Sequence, residues 1–239
     1  GGALPDALNF SARDTILPVV PMFHVNAWGI PYGAAMTGMK IVFPGAALDG
    51  KSVYELLEAE RVTVSAGVPT VWLMLLNHMK ANGLKFSTMQ RTVIGGSACP
   101  PAMIRSFRDD YGVTVLHAWG MTEMSPLGTV CNLKLKHLAS DKDAQLAVQL
   151  KQGRAVFGVE LKIVDPEGKE LPWDGSAAGD LLVAATDVDD RNVDLRNHSG
   201  AGRVLHFSAD FTARGELRTG QTGLVVGLAI DPADCALYA

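Results

Sequence analysis

Short apolar runs and amphipathic stretches alternate along the first 130 residues. Thr15-Ile-Leu-Pro-Val-Val20 is apolar without interruption, as expected of a strand covered on both faces, and Pro21 ends it. Asn26 to Met36 offers small and apolar residues suited to a packed helix, and Lys40 to Phe43 reads as a second strand broken by Pro44 and Gly45. Ser52 to Glu60 places Val53, Leu56 and Leu57 on one helical face, with Glu55, Glu58 and Glu60 elsewhere. Val62 to Ala66 is a further strand. Gly67 to Thr70 turns into a helix reaching about Ala81, with Trp72, Leu75, Leu76 and Met79 on one side. Arg91 to Ile94 is a strand, Pro101 opens a helix to about Asp110, and Val113 to His117 is another strand.

This strand–helix repeat predicts an α/β protein with a mainly parallel, helix-covered sheet. After residue 130 the pattern changes. Ala144 to Lys151 fits a short helix, Gly153 to Phe157 leads into a strand, Val159 to Val164 alternates, Asp165 to Gly168 is a turn, and Gly179 to Val183 starts a strand. The expected organisation is therefore an α/β part over 1–130, a smaller antiparallel β-rich part over 131–183, and a tail over 184–239.

Composition narrows the function classes. The 239 residues are 48% hydrophobic and 19% charged, with net charge −4, and no block of like charges occurs. That argues against a nucleic-acid binder held by a basic face and against an electrostatic membrane anchor. No run of about 18 apolar residues suggests a membrane span. Cys99, Cys131 and Cys235 are too widely spaced for a zinc site or a disulfide framework, and reduced cysteines point to the cytoplasm. His78 reads as a surface residue, and His137, His198 and His206 lack metal-ligand spacing. The start, Gly-Gly-Ala, has no basic or apolar leader and reads as the middle of a longer protein.

Two loops directly follow strands, where parallel sheets place ligands. One is Gly95-Gly-Ser-Ala-Cys-Pro-Pro101. The other is His117-Ala-Trp-Gly-Met-Thr-Glu-Met-Ser-Pro126, which combines a flat ring (Trp119), a hydroxyl (Thr122) and a carboxylate (Glu123). A ring can stack on a purine, a hydroxyl can bond a phosphoryl oxygen, and a carboxylate suits Mg²⁺. Cys99 beside two prolines reads as a packed thiol.

The string from His117 to Pro126 resembles the aromatic-Gly-Met-Thr-Glu motif of the adenylate-forming, or AMP-binding, superfamily, and within it the fatty-acyl-CoA synthetases. The resemblance implies adenine packing on Trp119, which stands in place of the commoner Tyr, an α-phosphate contact from Thr122, and Mg²⁺ at Glu123, with Gly120 and Met121 lining the site. Gly95, Gly96, Ser97 and Ala98 look like the adenine-proximal loop, whose small residues admit the nucleotide. Pro21-Met-Phe-His-Val-Asn-Ala-Trp28 is similar to the family's Pro-x-x-His motif, which puts His24 and Trp28, with Val68 and Gly120, along the acyl tunnel. Its Met, Phe, Val and Trp suit an apolar acid.

The implied activity is ATP-dependent activation of a fatty acid as acyl-AMP and transfer to CoA, with catalytic roles for Thr122, Glu123 and His24. A methylmercaptopropionate-like or aryl acid is the second substrate class. ATP, Mg²⁺, CoA and a carboxylic acid are the implied partners, and a homodimer of the whole enzyme is compatible with them. A different class also stands: a catalytically inactive nucleotide- or acyl-binding module descended from the family. Gly153 to Gly158 resembles the segment entering the last β unit. From Ala184 onward the sequence departs from the family, and Gln221 in Arg218-Thr-Gly-Gln221 replaces the ribose-binding Asp. The tail therefore reads as a foreign stretch, as a shifted frame or altered splice would produce. The phosphate loop with its Lys and the C-terminal domain with the catalytic Lys do not occur in these residues, so the chain is expected to be an inactive internal piece of the large domain.

Overall fold

The computed structural model describes residues 3–185, 203–207 and 213–218. The chain divides into two compact units, one ending at Val156 and the other beginning at Phe157.

The first unit is built on a seven-stranded sheet in the order β2-β1-β3-β4-β5-β6-β7. Its strands are β1 (Thr15–Val19), β2 (Lys40–Ile41), β3 (Val64–Gly67), β4 (Arg91–Ile94), β5 (Thr114–Gly120), β6 (Leu127–Cys131) and β7 (Arg154–Ala155). β2, β1, β3, β4 and β5 run parallel; β6 and β7 are antiparallel additions. The mainly parallel sheet expected from the sequence is thus present. Because side chains alternate across a strand, β1, β4 and β5 each feed two cores. Leu17, Val19, Ile94 and Val115 join one core with Trp72, Leu75, Met79 and Phe107, whereas Ile16, Val93, Leu116 and Ala118 join another with Phe10, Ile30 and Ala34.

The helices of this unit are α1 (Val25–Trp28), α2 (Ile30–Thr37), α3 (Gly50–Ala59), α4 (Pro69–Ala81), α5 (Pro101–Arg105), α6 (Leu135–Leu138) and α7 (Lys142–Gln149). α3 starts two residues before the expected Ser52, because Asp49 caps it by accepting from the amides of Lys51 (3.0 Å) and Ser52 (3.1 Å). Gly50 then lets α3 abut α4: a β-carbon there would lie 2.8 Å from the His78 β-carbon and collide with the Met74 carbonyl. This closeness corrects the expectation for His78, which is half-buried and tilted against the Tyr54 ring at 6.2 Å.

Two other expectations change. The helix predicted over Asn26–Met36 is really two elements. Val25 to Gly29 form a single left-handed turn with φ between 48° and 69°, and a right-handed α2 follows with Pro31 in its first turn. Gly29 admits the reversal and Pro31 suits a helix start, so the chain breaks where the apolar pattern alone runs on. The helix from Pro101 also widens into a π-turn over Ser106–Asp110.

The amino ends of β1, β3 and β4 are tied by one buried carboxylate. Asp14 accepts from Arg91 (2.8 Å), Thr63 Oγ1 (2.9 Å) and the Ser11 amide (2.9 Å), while Arg91 also donates to the carbonyls of Leu8 and Asn9. Burial pushes the Asp14 pKa up, but the Arg91 and Thr63 bonds outweigh it and hold the carboxyl below its ordinary range.

The second unit contains an antiparallel sheet, β11-β10-β9-β8, formed by β8 (Val159–Val164), β9 (Asp180–Ala185), β10 (Arg203–Phe207) and β11 (Ala213–Arg218). Leu161, Val164, Leu181 and Val183 are buried among its residues with described side chains. The Asp165–Gly168 turn is closed by the Gly168 amide on the Asp165 carbonyl at 2.9 Å. Most of the 184–239 tail, including Thr219 to Gln221, lies outside the described residues.

Candidate functional site

The strand order 2-1-3-4-5 decides where a site can form. Its reversal lies between β1 and β3, and ligands of such sheets bind beyond the carboxyl ends at that point. Four segments singled out in the sequence follow four neighbouring strands there. Pro21 to Trp28 follows β1, Val68 follows β3, Gly95 to Ala98 follows β4, and Trp119 to Glu123 spans the end of β5 and the turn after it.

Several of them touch. A β-carbon at Gly95 would fall 2.7 Å from the Ala118 carbonyl oxygen and 3.6 Å from the Trp28 ring. One at Gly96 would fall 3.1 Å from Val68 Cγ1 and 3.7 Å from the same ring. Gly96 also has φ +78°, a conformation that favours glycine. The small residues therefore let the indole of Trp28 pack close against the loop, with Val68 beside it. Val68 is itself fixed from below: Trp72, fully buried, donates its indole N–H to the Gly67 carbonyl at 3.2 Å.

Trp119 lies on the other face of β5. It is half-buried, and its ring packs on Gly128, where a β-carbon would lie 2.8 Å away. Trp28 and Trp119 thus flank the end of β5 from opposite sides of the sheet. Beyond Gly120, the Met121 amide bonds the Pro126 carbonyl (2.8 Å), and Thr122–Met124 forms a 3-10 turn closed by Met124 on Met121 (3.0 Å). Thr122 and Gly120 are exposed and Met121 is half-buried. Glu123 occupies the middle of that turn, and its side chain lies outside the described part of the structure. Pro126 packs 3.5 Å from the β-carbon position of Gly29, which links this turn to the Pro21–Trp28 segment.

His24, Met22 and Phe23 stand exposed on that segment, whereas Ser97 and Ala98 are exposed at the loop tip. Cys99 is buried, and burial pushes its thiol up to about 12; Cys131, buried as well, is pushed up to about 11. Neither thiol is a nucleophile near neutral pH. Among the described residues no group of three or more His, Cys, Asp or Glu converges as a metal cage. No described helix is long and apolar enough to cross a membrane.

Sequence reasoning missed His117 as a structural member of the site. It is 1% exposed, and its ring joins Cys99, Gln149 and Gln152. The available signal was a lone histidine inside the mostly apolar strand Val113 to Ala118; its partners, up to 35 residues away, carried none.

An α/β sheet with glycine-lined loops and aromatic rings at its carboxyl edge is the form of a nucleotide- or acyl-binding domain. Residues 2–188 match the AMP-binding enzyme family, and the chain belongs to it. It is 56% identical over 181 residues to a medium-chain-fatty-acid–CoA ligase of Ectopseudomonas oleovorans, covering 76% of this chain and 33% of that protein. It is 53% identical over 183 residues to a 3-methylmercaptopropionyl-CoA ligase of Ruegeria pomeroyi, covering 77% and 34%. The chain thus spans about a third of the length of these relatives. The crystal structure of a long-chain-fatty-acid–CoA ligase from Archaeoglobus fulgidus superposes with TM-score 0.64 at 20% identity, covering 89% of this chain and 45% of that one.

Proposed function

We propose that the chain forms the nucleotide and acyl surfaces of an ATP-dependent fatty-acyl-CoA synthetase, with most of them supplied by residues 1–130. The observation that carries this reading is the convergence of four segments at the carboxyl edge of β1, β3, β4 and β5, with Trp28 packed on the Gly95–Gly96 loop. The relatives' names support a carboxylic acid and CoA as substrates. In the whole protein the acid's carboxylate oxygen attacks the α-phosphorus of ATP, pyrophosphate leaves, and the CoA thiol then displaces AMP from the acyl carbon.

The residues divide the work. Trp119 gives adenine a flat face, Gly95 to Ala98 admit the base, and Thr122 donates to an α-phosphate oxygen. His24 and Trp28, with Val68, line the path of the acyl group, and the apolar character of Met22, Phe23 and Trp28 favours a fatty acid over a polar one. A Mg²⁺ ion supplies charge neutralisation at the phosphates. Glu123, the one carboxylate of the Thr122–Met124 turn, would hold such an ion, which usually takes one or two carboxylates. Two reduced, buried cysteines accord with a cytoplasmic protein.

Calorimetry of the full chain with AMP and with ATP–Mg²⁺ tests the reading. Binding that weakens about tenfold in W119A, a typical cost of about 1–3 kcal/mol for losing a stacked base, is the expected result. No binding of either nucleotide to the folded chain would defeat it. Pyrophosphate release with octanoate separates the enzyme from a binding module: nucleotide binding without release for any acid, in the protein completed to its relatives' length, makes it a module.

A further inference from the structure

The imidazole of His117 bridges three segments of chain from within the sheet. It projects from β5 and is almost wholly enclosed. The Cys99 amide donates to its Nε2 at 3.3 Å, and its Nδ1 lies 3.2 Å from the Gln149 carbonyl oxygen. An amide N–H can only donate and a carbonyl oxygen can only accept. Both contacts are therefore satisfied by one form alone, the neutral ring with its proton on Nδ1. The Gln152 side-chain nitrogen, 3.4 Å from Nε2, is another donor and agrees with that assignment. Gln152 is fastened in turn, because its backbone carbonyl accepts from Thr129 Oγ1 on β6 at 2.6 Å.

Cys99 is the first buried residue after the exposed Gly96, Ser97 and Ala98. The loop is thus held at Gly95 by its close approach to the Ala118 carbonyl and at Cys99 by the ring of His117. Ala118 and His117 are consecutive residues of β5, so the same two positions of one strand clamp both ends of the loop. Trp119, the next residue, carries the proposed adenine face.

We propose that His117 is a positioning residue: its Nδ1–H tautomer anchors the Cys99 amide and thereby registers the Gly95–Ala98 loop against the Trp119 end of β5. The inference rests on the nucleotide reading of that loop. Burial supports it, since desolvation holds the imidazole below its ordinary range despite the opposing backbone bonds at Gln149 and Lys151.

Three measurements on the full chain test it. Long-range ¹⁵N–¹H spectra of the wild type should show His117 protonated at Nδ1 with Nε2 as acceptor; the opposite tautomer, or a doubly protonated ring at pH 7, overturns the latch. In H117L the amides of Gly96 to Cys99 should exchange about tenfold faster, as expected from one lost hydrogen bond, with Val93 and Ile94 unchanged, and H117Q should restore the loop. Equal acceleration of loop and strand, or no change, overturns it. If H117L does not fold, H117Q decides alone: retained loop protection supports the latch and lost protection overturns it. AMP affinity should fall about tenfold in H117L, following the same loss, and recover in H117Q. If the wild type binds no AMP, the nucleotide reading fails, while tautomer and exchange data still decide the latch.

Discussion

The two ends of the parallel sheet are built on opposite principles. At the amino end, Asp14 gathers Ser11, Thr63 and Arg91 into a half-buried to buried network of long side chains and backbone carbonyls. At the carboxyl end the strands run into glycines, exposed loop tips and rings held by contact with bare backbone. One end uses charge to tie strands together, and the other leaves space where side chains would otherwise fill it. The difference teaches that substitutions at the amino end should register in stability, and those at the carboxyl end in binding.

The largest effect should come from R91M. The Arg91 and Asp14 side chains are 14% and 7% exposed, and removing the cation strands a buried carboxylate, which costs about 3–5 kcal/mol of unfolding free energy. Urea denaturation reads it, and any variant that still folds should keep the wild-type AMP affinity. The pair also sets an acid limit. Because the folded Asp14 is held below its ordinary pKa, its contribution is complete above about pH 4, the ordinary carboxylate value, and is lost as pH falls through the lower folded value. R91M removes the largest of the partners that lower it, leaving the Thr63 and Ser11 bonds, so the acid limb should shrink. Loss of nucleotide affinity in R91M with unchanged stability would erase the contrast between the two ends.

G95A tests the carboxyl end. The added methyl meets the Ala118 carbonyl oxygen at 2.7 Å, and backbone has to move. Overpacking of this kind costs about 1–3 kcal/mol. The loop beside Trp28 shifts with it, so AMP affinity should fall by more than the stability change implies. A variant that lost stability but bound AMP normally would assign the glycine to packing alone.

Much of this layout is legible in the sequence, for identifiable reasons. Uninterrupted apolar strands such as Ile16 to Val19 fit the centre of a parallel sheet, and Pro69 and Pro101 mark helix starts at positions where a missing N–H does no harm. The loop after β4 is visible because Gly95-Gly96 directly follows a strand, and the one after β5 because Trp119, Thr122 and Glu123 cluster around Gly120. What stays hidden depends on distant partners or on local handedness. Nothing in Arg91 reveals Asp14, 77 residues away, or in His117 its acceptor at Gln149, 32 residues on. The left-handed turn at Val25–Trp28 is invisible for another reason: its residues include none with a preference for positive φ except Asn26, so a periodicity argument extends α2 back through it.

That turn provides the smallest predicted effect and a control within the same segment. Ala27 and Ala34 are both buried, at 0% and 4% exposure, but Ala27 has φ 49° while Ala34 lies in the right-handed helix α2. At Ala34, replacement by glycine loses about 0.8 kcal/mol for the methyl and about 0.5–1 kcal/mol in chain entropy, so A34G should cost about 1.5 kcal/mol. At Ala27 the same losses are offset by about 1–2 kcal/mol, because an L-residue is disfavoured in the left-handed region and glycine is not. A27G should therefore leave the urea midpoint close to wild type. Equal destabilisation by both substitutions would show that the Val25–Gly29 backbone is right-handed in solution, and the turn that sets Trp28 on the loop would have to be redrawn.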